Sequence, residues 1–208
     1  MKLSKFATLV KREGCCNVYR VENDAVWLGT RGALFRAGGL PEIHGRDEVR
    51  VILSLNEKQM EKIMVYEHDC DDLSCVAGMN LHDYDEREKV AKPAINIGLI
   101  HAAVKADDGE LIFYDTNYLS PLADELKDSD YMETTIRWTV SSQPYIAVKD
   151  GFDMLAAIMP LQIVNDAYIA RLQEFEAMCV EQLFRERARA GMAEAAEESN
   201  TEQVEMEE

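Results

Sequence analysis

Apolar residues in the opening segment KLSKFATLVKR fall at Leu3, Phe6, Ala7 and Val10, the i, i+3, i+4, i+7 spacing of one helical face. Lys2, Lys5 and Arg12 lie on the opposite side, and Gly14 stops the helix. The period then changes. VYRV, AVWLGT and GALFRA read as short strands, the first two separated by Glu22-Asn23-Asp24 and the third closed by Gly38-Gly39. VRVILSL, Val49 to Leu55, alternates and predicts a further strand. NEKQMEKIMV after it predicts a helix capped by Asn56, with Met60, Ile63 and Met64 on one face.

Periodicity fades in EHDCDDLSCVAGMNLHDYDEREKVAKP, which reads as an acidic surface insertion containing at most one short helix. INIGLIHAAVKADDGELIFYD then predicts a hairpin turning at Asp107-Asp108-Gly109, and in NYLSPLADELKD the Ser120-Pro121 pair suits the N-cap and N1 positions of a short helix. Three strands follow, YMETTIRWTV, PYIAVKD and FDMLAAIM, the last two joined at Lys149-Asp150-Gly151. Pro160 ends the last one, because proline cannot donate to a central ladder. Beyond it Tyr168, Leu172, Phe175, Cys179 and Leu183 trace the stripe of a long helix capped by Asn165 or Asp166, and 190–208 has the composition of a disordered acidic tail.

These elements predict an α+β chain of antiparallel sheets with a few helices. Its 208 residues at 47% hydrophobic are enough to bury a core. No apolar run approaches the ~20 residues of a membrane-spanning helix, and the first residues lack an apolar signal core. Five cysteines without repeated spacing predict reduced thiols, and with them a cytoplasmic protein. The net charge of −17 is uneven: residues 1–66 carry +3, 67–92 carry −5, 93–160 carry −7 and 161–208 carry −8. Only the first third has the sign that phosphates attract.

The order of elements, with GELIFYDTNYLSPLADEL, TTIRWTVSSQPYIAVKD and the closing LAAIMPLQI, resembles the sliding clamps of bacterial DNA replication. A looser likeness, carried by WLGTRGALFRAGGLPE, is to short proteins of prophages and mobile elements of gut Firmicutes. The resemblance implies repeated units with helices facing a central hole and strands forming the outer wall. It implies a first half at 1–66 and a second half at 96–163; between and after them 67–95 reads as an acidic insertion, 164–189 as a C-terminal helix and 190–208 as a tail. Three departures limit it. The chain has material for one or two reduced domains where such clamps have three, so a ring would need several copies. A helix follows the Met-Pro strand, where those clamps end. The short helix near 121–127 carries Asp124, Glu125 and Asp128, the wrong sign for DNA.

Lys2, Lys5, Arg12, Lys58 and Lys62 are the candidate DNA contacts, with Lys11, Arg31 and Arg36 nearby; the bland reading is a solvated helix face. Met159 and Pro160, by analogy with the clamp strand that lies beside a peptide pocket, and Leu172 and Phe175, from the apolar stripe of the C-terminal helix, are the candidate partner-binding residues. His68, Cys70, Cys75 and His82 are close in sequence but match no zinc module, so no metal or cofactor is expected. No nucleophile elbow, phosphate loop, His-Glu-x-x-His or Gly-x-Gly-x-x-Gly occurs, and no catalytic residue is assigned. The leading expectation is a non-enzymatic, clamp-like replication accessory that binds duplex DNA or replication proteins, with homo-oligomerisation open. The alternative is an acidic interaction protein, an inhibitor or DNA mimic, without direct DNA contact.

Overall fold

The computed structural model describes residues 1–22, 24–97, 101–106, 111–161, 171 and 174–187. The chain divides into two compact units, Met1–Leu161 and Gln162–Glu208. In the first, helix α1 (Leu3–Glu13) precedes strands β1 (Cys15–Val21), β2 (Val26–Gly29) and β3 (Ala33–Ala37). Helices α2 (Gly45–Ile52) and α3 (Glu57–Met60) lead to β4 (Met64–Cys70). Then come β5 (Lys89–Ile97), β6 (His101–Ala106), β7 (Leu111–Asp115), a 3-10 segment Thr116–Leu122, helix α4 (Glu125–Asp128), β8 (Met132–Trp138), β9 (Pro144–Asp150) and β10 (Asp153–Ile158). The fold is α+β, built on one mostly antiparallel sheet in the order β4-β1-β2-β3-β10-β9-β8-β5-β6-β7, with β4 parallel to β1.

Three strands on each side are arranged alike about the seam where β3 pairs with β10, Phe35 opposite Ala156 and Ala33 opposite Ile158, with β4 beyond them on one side and β5, β6 and β7 on the other. On each side a helical segment leads into a three-strand meander: α1 into β1-β2-β3, and the 3-10 segment with α4 into β8-β9-β10. Alternation along the strands sends side chains to two faces. One face carries Val18, Leu28, Phe35, Ile136, Ile146, Val148, Ala156 and Ile158 and is covered by Phe6, Leu9 and Val10 of α1 together with Tyr118 and Leu122. The other carries Tyr19, Trp27, Leu34, Tyr145, Ala147 and Met154 and is covered by Leu73, Val76, Met79 and Leu81. β10 is therefore buried on both sides, as its nearly charge-free sequence requires. Its ladder stops before Pro160, and the amide of Met159 donates to the carbonyl of Gly32 at 2.8 Å.

Several expectations need correction. Val49–Leu55 is not a strand: α2 runs through it, with Val49 and Leu53 buried and Val51 68% exposed. Alternation would have turned 49, 51 and 53 to one side, and Val51 decides for the 3.6 period. Asp47 and Glu48 in the first turn, with Glu48 accepting from the His44 amide at 2.6 Å, start the helix where anions are favoured. The Asn56 cap forms, as a full capping box with Gln59, but α3 ends at Met60, and Met64 is half-exposed in β4. Ser120-Pro121 sits inside the 3-10 segment, whose cap is Asp115. Residues 67–70 and 89–93, read as acidic loop, belong to β4 and β5.

The loop between those two strands has a topological task. β4 and β5 are separated in the sheet by β1, β2, β3, β10, β9 and β8. At ~4.8 Å per strand, residues 71–88 must cross the whole second face. This strap has no period because it runs across strands instead of along one. The Asp107-Asp108-Gly109 turn, the start of the C-terminal helix and the tail 190–208 lie outside the described residues. In the second unit residues 174–187 are helical, with Phe175, Met178, Leu183 and Phe184 exposed.

Candidate functional site

The cations of the first helix are not presented freely. The N-terminal ammonium pairs with Glu125, Lys2 Nζ with Asp124 at 2.7 Å, and the Lys2 amide donates to the carbonyl of Pro121 at 2.7 Å. At the other end Arg12 holds Asp115 at 2.8 Å and Glu13 at 3.0 Å and lies over the Tyr118 ring at 5.1 Å. The acidic segment 115–125 thus lies along α1 and neutralises it at both ends. Burial opposes the charge on Arg12, but Glu13 and Asp115 outweigh it and raise its pKa. Lys5, Lys58 and Lys62 are exposed and form no ion pair with a described residue. The Lys62 carbonyl lies at the C-cap Gly14, whose φ of 69° is the left-handed conformation glycine allows.

Beside Arg12 an open depression of about 640 Å³ is lined by Glu13, Arg31, Asp115, Asn117 and Tyr118. Burial would raise the Glu13 carboxyl, yet hydrogen bonds from Tyr118, Arg12 and the Arg31 amide hold it below its ordinary value. Burial and the bond to Glu13 push the Tyr118 phenol up. The phenol occupies the space where a Cβ on Gly32 would stand, 2.1 Å from the built position. Its two arginines are matched by two carboxylates, and the depression is electrostatically closed.

Met159 packs at the edge of the strap-side core, and Pro160 is half-buried. Leu161 donates to the carbonyl of Phe113 at 2.7 Å, so the strand exit is tied down at both 159 and 161. Leu172 lies outside the described residues, and Phe175 is 63% exposed on the second unit. Cys15 and Cys16 are buried and unbridged on an interior strand, and burial pushes the Cys16 thiol up to about 12. His68 stacks on Tyr19 at 4.5 Å, while the His82 carbonyl belongs to the strap. No metal-capable cluster is assembled among the described residues.

The strongest polar constellation was not foreseen. Arg137 is completely buried on β8. Its Nε donates to Glu88 at 2.8 Å, Nη1 to the carbonyls of His82 at 2.6 Å and Asn80 at 3.2 Å, and Nη2 to that of Asp83 at 2.7 Å. Lys149 adds Glu88 at 3.0 Å and Glu133 at 3.4 Å, and the Tyr145 hydroxyl donates to the Asn80 carbonyl at 2.7 Å. One guanidinium thereby satisfies a bend of the strap that has no secondary structure of its own. Because every donor is engaged, this is a clasp and leaves no group for chemistry. Nothing in IRW marks Arg137 as internal; its partners are carbonyls, which sequence does not distinguish.

Next to the clasp, the strap leaves a cleft of about 180 Å³ lined by Asp24, Trp27, Arg36, Leu73, Leu81, His82, Asp83, Phe152, Asp153 and Met154. Trp27 and Arg36 are opposite each other across the β2-β3 hairpin. Arg36 pairs with Asp24 at 3.0 Å and Asp153 at 2.5 Å. The signal for this site was the hairpin register: a turn centred on Arg31-Gly32 puts Trp27 and Arg36 on one face. Comparison with protein-family models, curated proteins and solved structures gives no significant match to this chain.

Proposed function

We propose that the protein is a non-catalytic interaction module of clamp-like design that docks a protein partner through an acidic surface. The observation that carries this reading is the pairing of α1 with 115–125. Lys2 and Arg12, two of the five candidate phosphate contacts, and the N-terminal ammonium are held by Asp124, Asp115 and Glu125. A duplex would have to displace those carboxylates while meeting a chain of charge −17. The two helix-and-meander units joined at β3-β10 support the clamp-like design, and their acidic helical side supports the interaction role over the DNA-holding one.

A second reading, duplex contact through Lys5, Lys58 and Lys62, has one observation in its favour: these lysines are exposed and form no ion pair with a described residue. Fluorescence anisotropy of a labelled duplex at low salt separates the two. The docking reading expects no saturable binding by the full chain. Salt-sensitive binding that Lys58→Glu and Lys62→Glu weaken would replace it with the DNA reading.

A further inference from the structure

In the helix of the second unit every described residue from 174 to 187 is exposed, and the apolar ones are no exception: Phe175 stands at 63% and Leu183 at 54%. Phe175, Cys179 and Leu183 follow one another at i, i+4 and i+8, a single stripe with Met178 on one side and Val180 on the other. At 1.5 Å per residue the described stretch is about 21 Å long. A lone helix of that length is marginal in water, and its stability has to come from packing its apolar side. The stripe therefore calls for a second surface.

The charges beside the stripe say which surface. Glu181 and Arg185 satisfy each other within the helix at 2.6 Å, and Gln182 donates to Glu186 at 3.0 Å. Glu176 and Arg187 form no ion pair with a described residue. They stand eleven positions apart, close to three helical turns, so both lie on the Leu183 flank of the stripe, an anion near its start and a cation near its end. A two-fold contact brings residue i against j and j against i. Two such helices laid antiparallel set Glu176 of each beside Arg187 of the other, whereas a parallel pair would set Arg187 beside Arg187. The antiparallel sense also places opposite dipole ends together. Net charge agrees. Residues 171–187 hold Arg171, Arg185 and Arg187 against Glu174, Glu176, Glu181 and Glu186, a balance of −1 in a chain of −17, so two copies meet here with little of the repulsion that the rest of the surface imposes.

We infer that the stripe is covered by the same stripe of a second copy of this chain, helix against helix in the antiparallel sense, with the two-fold axis near Val180. Phe175 of one copy then lies beside Leu183 of the other, and Cys179 beside Cys179. The contact is short, so the dimer is a weak one that forms and dissolves with concentration. It neither needs nor excludes the docking reading above, because it uses no residue of the first unit.

The test follows the solution mass of the full chain by sedimentation from about 10 μM to about 1 mM, the range of weak association. A mass that climbs from one copy toward two is expected. Leu183→Glu, which sets a carboxylate in the apolar contact, should weaken the dimer at least ~10-fold. Arg187→Glu, an exposed change that leaves the stripe whole, should weaken it severalfold, and adding Glu176→Arg should recover most of that loss, since the reciprocal contact forms again with its signs exchanged. A chain that stays a monomer at every concentration overturns the inference, whatever then covers the stripe. A dimer indifferent to Leu183→Glu is joined elsewhere and overturns it as well. One that Leu183→Glu breaks but the charge exchange does not restore has its helices in another sense, which overturns the antiparallel pairing. None of these results touches the docking reading, which falls only to duplex binding.

Discussion

The two faces of the sheet are closed by different physics. On the helix side, Phe6 of α1 meets Phe35 of β3 edge to face, with ring centroids 5.7 Å apart, in a continuous apolar core. On the strap side a smaller apolar cluster is supplemented by Arg137, Lys149 and Tyr145, whose donors hold carbonyls of a loop. Apolar packing is non-directional and forgives small shifts; a polar clasp works only when each bond is made. The helix side therefore fixes overall stability, and the strap side fixes the position of one segment. It is the second kind of closure that leaves room for a cleft beside it.

Truncating each face should break this contrast in its own way. Phe35→Ala is expected to cost about 3–5 kcal/mol in chemical denaturation, and to leave limited proteolysis of 71–88 unchanged below the transition. Arg137→Ala strands the His82 carbonyl and leaves Glu88 and the Asp83 carbonyl to Lys149 and the Asn80 carbonyl to Tyr145, at a cost of about 3 kcal/mol. Its signature is local: fast cleavage and fast amide exchange at 71–88 while α1 stays protected. Equal exchange in both regions would mean the strap is not a separate unit.

Smaller changes sharpen the helix side. Gly32→Ala places a Cβ against the Tyr118 phenol and is expected to cost about 1–3 kcal/mol, with Tyr118→Phe in the same chain recovering part of it. The Glu13–Tyr118 bond also gives a pH dependence. Glu13 has its pKa depressed in the fold, so its contribution is present above the unfolded carboxyl value and lost as pH falls through the folded one. Tyr118 has its phenol pKa raised, so its contribution is lost as pH climbs past the unfolded phenol value of ~10. Glu13→Gln should flatten the acid limb of a stability profile by lowering its neutral plateau toward the acid value.

What could be read in the chain follows the same division. α1, its Gly14 stop, the three-strand meanders and the Pro160 exit were legible because apolar period and turn chemistry act locally. Val49–Leu55 misled because Val49 and Leu53 fit both periods while Val51 fits only alternation, and only the packing of α2 against β4 separates them. The strap was legible as irregular and acidic, but not as fixed, since its stability comes from a residue some fifty positions away on β8. The pairing of Lys2 and Arg12 was equally hidden, since Asp124 and Asp115 are more than a hundred residues distant. The cleft needed two facts at once, the Trp27–Arg36 register and the path of the strap above it.

The most direct test of the docking account is the behaviour of duplex DNA toward the wild type and toward Asp124→Asn with Glu125→Gln, followed by anisotropy across a salt series. If those carboxylates mask α1, the wild type stays unbound and the double variant gains salt-sensitive binding that Lys2→Glu removes. Binding by the wild type as tight as that of the double variant would show that the helix was never masked, and would contradict the account.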